Sequence, residues 1–307
     1  MKLNRLPVFE IIGNRNELNG PFLERLAAEL VRLNLFCTVV SAEDIHSPVD
    51  AGTLARKYDV VFVEGESGLY LQKISLLPAA AERLKNGLNC IDGDESSFTS
   101  FLKIFLLRLQ ELTSQTPVRG CILIGGKSSR MGRPKHLIKN DRGRSWLDST
   151  VDILRPLVDE IVISGAGDVP DSLSDLVRLT DIAGVGGPMS GFLSASRCYP
   201  LTSWLLIACD MPNISRPAIE WLLSRRSPGR WGIVPRMPET GYLEPLFAWY
   251  DMRAGQIFES QLQAGVMRIG RGAEHQKIEN PTIPWSLRDS WKNINTPEQL
   301  QWVKQPG

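Results

Sequence analysis

The run Ile122-Leu123-Ile124-Gly125-Gly126-Lys127-Ser128-Ser129-Arg130-Met131-Gly132-Arg133-Pro134-Lys135 ends an apolar stretch in a glycine pair, then adds hydroxyl residues and cations. Without a Cβ, glycine lets backbone N–H groups close on phosphate oxygens. Arg130 and Lys135 can bring positive charge to the same anion, one as a planar fork and the other as a point charge. This spacing suits a nucleoside triphosphate. It occurs in the middle of the chain, not at its start.

A second apolar run, Trp204 to Ala208, ends in Cys209-Asp210-Met211-Pro212. Mg²⁺ is commonly held by one or two carboxylates plus substrate phosphates, keeping several waters. Asp210 is therefore the expected metal ligand, and its competing role is to cap the helix that follows. The stretch Asp181-Ile182-Ala183-Gly184-Val185-Gly186-Gly187-Pro188-Met189-Ser190-Gly191 reads as a turn. Its backbone could approach a base or ribose, or serve structure alone. Asn293-Ile294-Asn295-Thr296-Pro297 precedes a helix-like Glu298 to Val303 and could cap it or hold a polar ligand.

In open α/β sheets, ligands lie beyond the carboxyl ends of strands. Leu6 to Ile12, Phe36 to Val40 and Asp59 to Val63 read as strands, and Pro21 to Asn34 and Phe98 to Leu112 as amphipathic helices. That alternation predicts a parallel sheet covered by helices. Thr113-Ser114-Gln115-Thr116-Pro117 is a polar break ending in proline, so the domain boundary is placed there. The alternation then restarts. Gly120 to Ile124, Glu160 to Ser164, Trp204 to Ala208, Trp231 to Pro235 and Leu246 to Trp249 read as strands. Asp148 to Leu157 and Pro217 to Arg225 read as helices.

The chain of 307 residues is long enough for two cored domains, and its 43% hydrophobic and 22% charged content fits a globular protein. The net charge of +1 gives no general attraction to nucleic acid or to a membrane surface. Up to residue 115 there are 12 basic and 15 acidic residues, a net −3; beyond it 23 and 19, a net +4 that suits an anionic substrate. Cys37, Cys90, Cys121, Cys198 and Cys209 show no CxxC spacing, so a reduced, cytoplasmic protein without structural zinc is expected. Cys209 reads as a small buried hydrophobe. No signal peptide or bilayer-spanning run is legible.

Together the four elements resemble the molybdenum cofactor guanylyltransferases, the MobA-type nucleotidyltransferases, over about residues 118 to 305. The shared pattern is an apolar strand with Gly-Gly-x-Ser-x-Arg-Met-Gly and a later lysine (Gly125 to Lys135). Asp181 follows, then Gly187-Pro188-Met189-Ser190-Gly191, Cys209-Asp210-Met211-Pro212, Pro245-Leu246-Phe247 and Asn293-Ile294-Asn295-Thr296-Pro297. The resemblance implies transfer of GMP from GTP to molybdenum-molybdopterin with release of pyrophosphate, and Mg²⁺ held on Asp210. It assigns catalysis to Arg130, Lys135 and Asp210. Nucleotide contacts fall to Leu123, Ile124, Gly125, Gly126, Lys135, Asp181 and Asp210, and pterin contacts to Asn293 and Asn295. The sister cytidylyltransferases usually carry Ala-Gly where this chain has Gly125-Gly126, which favours GTP over CTP. One departure concerns the base: the family often has an asparagine after its second strand, where this chain reads Ile163-Ser164-Gly165-Ala166-Gly167. The alternatives are CMP transfer to the same cofactor, a sugar-phosphate nucleotidyltransferase, and a non-catalytic adaptor that carries the cofactor.

The first half resembles the MobB-type partner proteins, which are P-loop GTP binders, in degenerate form. Tyr58-Asp59-Val60-Val61-Phe62-Val63-Glu64-Gly65 is similar to that family's Asp-x-x-x-x-Glu-Gly strand. A P-loop starting at Gly13 would need Gly, Lys and Ser/Thr at 18 to 20, and this chain has Leu18, Asn19 and Gly20. The expected organisation is α/β in two domains. Residues 1–115 form a degenerate P-loop-like domain, and residues 116–307 a Rossmann-like nucleotidyltransferase domain. The first domain would then dock rather than hydrolyse, on the second domain, a second copy, or a molybdoenzyme or cofactor-biosynthesis protein. Calorimetry of the full chain with GTP and Mg²⁺ should therefore count one site, and Lys135→Ala should leave no second tight one. A tight Mg²⁺-dependent site surviving that substitution would restore a working P-loop.

Overall fold

A computed structural model describes residues 3–12, 19–75, 87–89, 95–125 and 131–303. The chain divides into two compact units, residues 1–116 with 227–229, and residues 117–226 with 230–307. In the first unit, β1 (Val8–Ile12), α1 (Asn19–Arg32), β2 (Cys37–Ser41), α2 (Pro48–Ala55), β3 (Val60–Glu64), β4 (Gln72–Ser75), β5 (Gly87–Asn89) and α3 (Glu95–Gln115) follow in order. The sheet order is β2-β3-β1-β4-β5, and every pairing is parallel. Parallel strands buried on both faces read as continuous apolar runs, and Val60 to Val63 are all buried. Phe98, Phe101, Phe105, Leu109 and Leu112 recur at helical spacing along α3, so one face enters the core, where Phe105 meets Phe9 with ring centroids 4.9 Å apart. The positions of a P-loop, 13 to 18, lie outside the described residues, and Asn19 and Gly20 open α1.

The second unit runs β6 (Val118–Leu123), α4 (Trp146–Leu154), β7 (Glu160–Ser164), β8 (Val177–Leu179), α5 (Pro188–Cys198), β9 (Ser203–Ala208), α6 (Arg216–Ser224), β10 (Gly232–Ile233), β11 (Phe247–Tyr250), α7 (Ala254–Gln263) and β12 (Ile278–Glu279). Its seven strands are ordered β12-β10-β11-β9-β6-β7-β8. The half containing β9, β6, β7 and β8 is parallel, and β11 is antiparallel to both β9 and β10. From β6 the chain moves outward through β7 and β8, then returns to β6's other side as β9. That reversal opens a crevice at the carboxyl ends of β6 and β9. All six residues of β9 are buried, as a central strand requires.

Local sequence sets the helix starts. Ser145 and Asp148 form a capping box at α4, each satisfying a backbone N–H of the other. The glycine-rich run read as a turn is one only as far as Gly187. Gly187 takes φ +71° as N-cap, Pro188 fills the first helical position, and α5 continues through Met189, Ser190 and Gly191. The strand expected over Trp231 to Pro235 shortens to Gly232–Ile233; beyond it Val234 N–H still donates to the Glu279 carbonyl and Arg236 N–H to the Pro281 carbonyl. No helix among the described residues is long and apolar enough to cross a membrane.

One backbone contact fixes the loop after β7. Gly165 has φ +112°, and a Cβ there would lie 2.1 Å from the Ile124 carbonyl oxygen. Gly165→Ala should lower the melting temperature, with a cost of about 1–3 kcal/mol from the strained backbone alone, and more from the clash. An unchanged melt would show that the two backbones do not pack this closely.

Candidate active site

The three parallel strands β9, β6 and β7 continue their ladders past their formal ends. Cys209 N–H donates to the Leu123 carbonyl at 3.1 Å, and Ile124 N–H to the Ser164 carbonyl at 2.9 Å. Leu123, Ile124 and Gly125 therefore lie at the middle of the carboxyl edge, between Asp210 on one side and Gly165 on the other. Gly125 has φ +99°, and a Cβ would come 2.9 Å from the Ala166 carbonyl oxygen. Gly126 and Arg130 lie outside the described residues.

The chain re-enters at Met131, which is buried with Ile138, Trp146 and Ile294 in a small apolar cluster. Burial of these side chains ties the exit of the glycine loop to the C-terminal segment, because separating them would expose apolar surface. Lys135 opens a single 3-10 turn, Lys135–Leu137, between Met131 and Ile138. Its ammonium donates to Asp210 Oδ2 at 3.1 Å and to Asn295 Oδ1 at 2.6 Å. Asn295 is held by its own backbone, whose N–H donates to Gln299 Oε1 at 2.6 Å, and Gln299 and Thr296 form a capping box. Ile294 N–H donates to the Asp210 carbonyl at 2.8 Å. Three segments far apart in sequence thus converge on one cation.

Asp210 takes Lys135 on Oδ2 and makes no other side-chain hydrogen bond among the described residues. No group of three or more histidine, cysteine or acidic side chains arranged to hold a metal ion occurs among those residues. A single partly exposed carboxylate fits an ion completed by phosphate oxygens and water, which is how Mg²⁺ is usually bound, and does not fit an all-protein cage. Burial first, and the Asp210 charge second, push the Cys209 thiol up to about 12, so it is no nucleophile near neutral pH. Asp181 follows β8, exposed, beside Ile182, whose N–H donates to Ser190 Oγ at 2.7 Å. Along the edge it stands three strands from Asp210, roughly 14 Å at the usual strand spacing. Asn293 is half-buried, and its Oδ1 is buried without a hydrogen-bond partner among the described residues.

Sequence reading missed three groups. Glu244 precedes β11. The pairing of Phe247 with Ile207, prolonged by Ala208 N–H to the Leu246 carbonyl at 2.8 Å, sets Glu244 opposite Asp210 when carried further. Burial, then the neighbouring Asp210 charge, raise its carboxyl to about 7. His136 is buried and its Nε2 lies 2.8 Å from the Asp168 carbonyl, so Nε2 carries the proton and donates. Burial holds this imidazole below the usual histidine range, with Arg178 adding to the effect, so it is neutral near pH 7. Arg178, exposed on β8, donates from one terminal nitrogen to the Gly165 carbonyl at 3.2 Å and the Gly167 carbonyl at 2.9 Å.

Comparison with known proteins places this geometry. Residues 120–278 match the model of the MobA-like NTP transferase domain. The molybdenum cofactor biosynthesis bifunctional protein of Synechocystis sp. is 33% identical over 190 residues, 60% of this chain and 53% of that protein; the chain spans only about half of that relative. The molybdenum cofactor guanylyltransferase of Rhizobium meliloti is 34% identical over 193 residues, 59% of this chain and 87% of its own length. Among solved structures, molybdopterin-guanine dinucleotide biosynthesis protein A from Archaeoglobus fulgidus superposes with a TM-score of 0.50 at 22% identity, covering 60% of this chain and 96% of that one; this likeness speaks to the fold. The family match lies in the second unit except for residues 227–229.

Glu244 gives this site a pH signature. Its carboxyl is raised from 4.5 to about 7, so it stabilises the fold while protonated, and that contribution is lost as pH climbs through 7. Glu244→Gln should therefore melt higher than wild type at pH 8 without nucleotide or metal, and the gap should close as pH falls towards 4.5. A gap that widens in acid would show that Glu244 is neither buried nor beside the Asp210 charge.

Proposed function

We propose, from the premise that the chain belongs to the MobA-like NTP transferase family, that it transfers GMP from GTP to molybdenum-molybdopterin and releases pyrophosphate. The observation that carries this reading is the convergence of Lys135, Asp210 and Asn295 at the topological switch point of the sheet. A binding surface that only carried a cofactor would have little use for an oriented cation beside a half-satisfied carboxylate.

The chemistry follows from charge. Terminal phosphate of the pterin and α-phosphate of GTP are both anionic, so the protein must offset their repulsion and the charge that builds on the leaving pyrophosphate. A pterin phosphate oxygen forms a bond to the α-phosphorus. The bond from that phosphorus to the α,β-bridging oxygen breaks, and the electron pair departs with pyrophosphate. Lys135 supplies fixed positive charge to these oxygens, and Asn295 holds its direction through their 2.6 Å hydrogen bond. Asp210 would hold Mg²⁺, which when bound supplies Lewis-acid polarisation and further neutralisation. Arg130, following the glycine pair in sequence, is assigned to the same phosphates.

The sheet gives the direction of the nucleotide. With phosphates at Lys135, guanosine extends over Gly125 and the loop after β7 towards Asp181. Asn293 and Asn295 flank the buried Ile294 on the β9 side, and that side is left to the pterin. We assign the first unit a docking role, because Asn19 and Gly20 stand where a working P-loop carries lysine and a hydroxyl.

Two measurements test this reading. Lys135→Ala should cut pyrophosphate release from GTP and molybdenum-molybdopterin by about a hundredfold or more, with the fold intact, as loss of one preorganised donor usually does. A near-normal rate would remove Lys135 from the mechanism. In thermal shifts with Mg²⁺, GTP should raise the melting temperature more than CTP or UTP, since tighter ligands stabilise more by mass action. A larger shift with CTP would make the chain a cytidylyltransferase.

A further inference from the structure

We infer that His136 and Arg178 are positioning residues for base selection, clamping the loop Gly165–Asp168 from opposite sides so that its backbone N–H groups face the base. This inference rests on the guanylyl-transfer reading and adds to it the source of selectivity. From inside, the buried His136 donates to the Asp168 carbonyl at 2.8 Å, and its ring packs where a Cβ on Gly167 would sit 3.2 Å from Cε1. From outside, Arg178 takes the carbonyls of Gly165 and Gly167 at 3.2 and 2.9 Å. Gly165 N–H is used by the Leu179 carbonyl at 3.2 Å. What the loop leaves over is three donors against one acceptor, the Ala166 carbonyl. The N–H groups of Ala166, Gly167 and Asp168 make no hydrogen bond among the described residues, and all three residues are exposed.

A row of donors, with the carbonyls of Gly165, Gly167 and Asp168 occupied, prefers a base edge made of acceptors. Guanine offers O6 and N7, both acceptors, on one edge; adenine replaces O6 with an N–H donor that would oppose the loop. The loop can do this only if it stays in register with Lys135, and His136 supplies that link. It is the next residue after Lys135, in the same 3-10 turn, Lys135–Leu137. The clamp therefore couples the base platform to the phosphate cation without a side chain that touches the base.

The test separates the base from the phosphates. Equilibrium binding of GTP, ATP and inorganic triphosphate, each with Mg²⁺, is measured on the full chain. Wild type should prefer GTP to ATP. Arg178→Ala, at an exposed position that leaves the core alone, should lose about tenfold of that preference while triphosphate affinity stays unchanged. His136→Met should do the same, and His136→Gln, whose amide nitrogen can reach the Asp168 carbonyl, should restore it. Lys135→Ala, by contrast, should weaken all three ligands together. Should Arg178→Ala keep the full GTP preference, or lose triphosphate and GTP affinity in equal measure, the clamp is refuted while guanylyl transfer stands. A wild-type chain that binds GTP and ATP alike overturns both.

Discussion

One ammonium group organises the carboxyl edge of the second unit's sheet. Lys135 Nζ lies 3.1 Å from a carboxylate oxygen of Asp210 and 2.6 Å from the amide oxygen of Asn295, and only a small part of its side chain meets solvent. A pair this sheltered gives up hydration on both sides, and the Coulomb attraction regained does little more than offset that loss. Its value is positional. A cation held by two acceptors points one way before any substrate arrives, so no reorganisation is left for the moment when phosphate charge develops.

Holding that cation requires three segments to meet, and the sheet order explains why they can. The switch between β6 and β9 places the end of each strand beside the other, so Gly125 and Asp210 share one edge. The C-terminal segment joins them through apolar burial: Ile294 packs with Met131, Ile138 and Trp146 and carries Asn295 with it. Antiparallel β11 then adds an acid from a fourth direction. Glu244 stays largely protonated below pH 7, so it does not compete with Asp210 for Lys135 there.

What the sequence made legible was whatever local pattern dictates. Glu160–Ser164 was read to the residue, because a β-branched run between a charged start and a glycine leaves few alternatives. Gly125 and Asp210 were legible as residues just past the ends of β6 and β9. The α5 start was not, since glycine and proline crowd into its first turn and mask a helix that tertiary packing enforces around Met189, Phe192 and Leu193. Glu244 was illegible for another reason: its proximity to Asp210 is a matter of antiparallel register, and register is a long-range property. His136 is a lone histidine in sequence, and nothing local distinguishes it from a core residue. The small strands β8 and β12 carry too few residues to show a period at all.

The edge of the sheet achieves its precision through backbone more than through side chains. Gly125, Gly165 and Gly167 all take positive φ, and two of them bring main chains so close that any Cβ would strike a carbonyl oxygen. A wall built this way has no rotamers to lose when a ligand binds, so its ordering cost is already met in the folded state. The cost falls elsewhere, in glycines that weaken the unfolded-to-folded balance and in a loop that cannot hold itself. Side chains from neighbouring elements must therefore fix it, and the imidazole of His136 and the guanidinium of Arg178 are the groups that do. The result is a glycine loop whose free N–H groups are oriented by two side chains from other elements, one buried and one exposed.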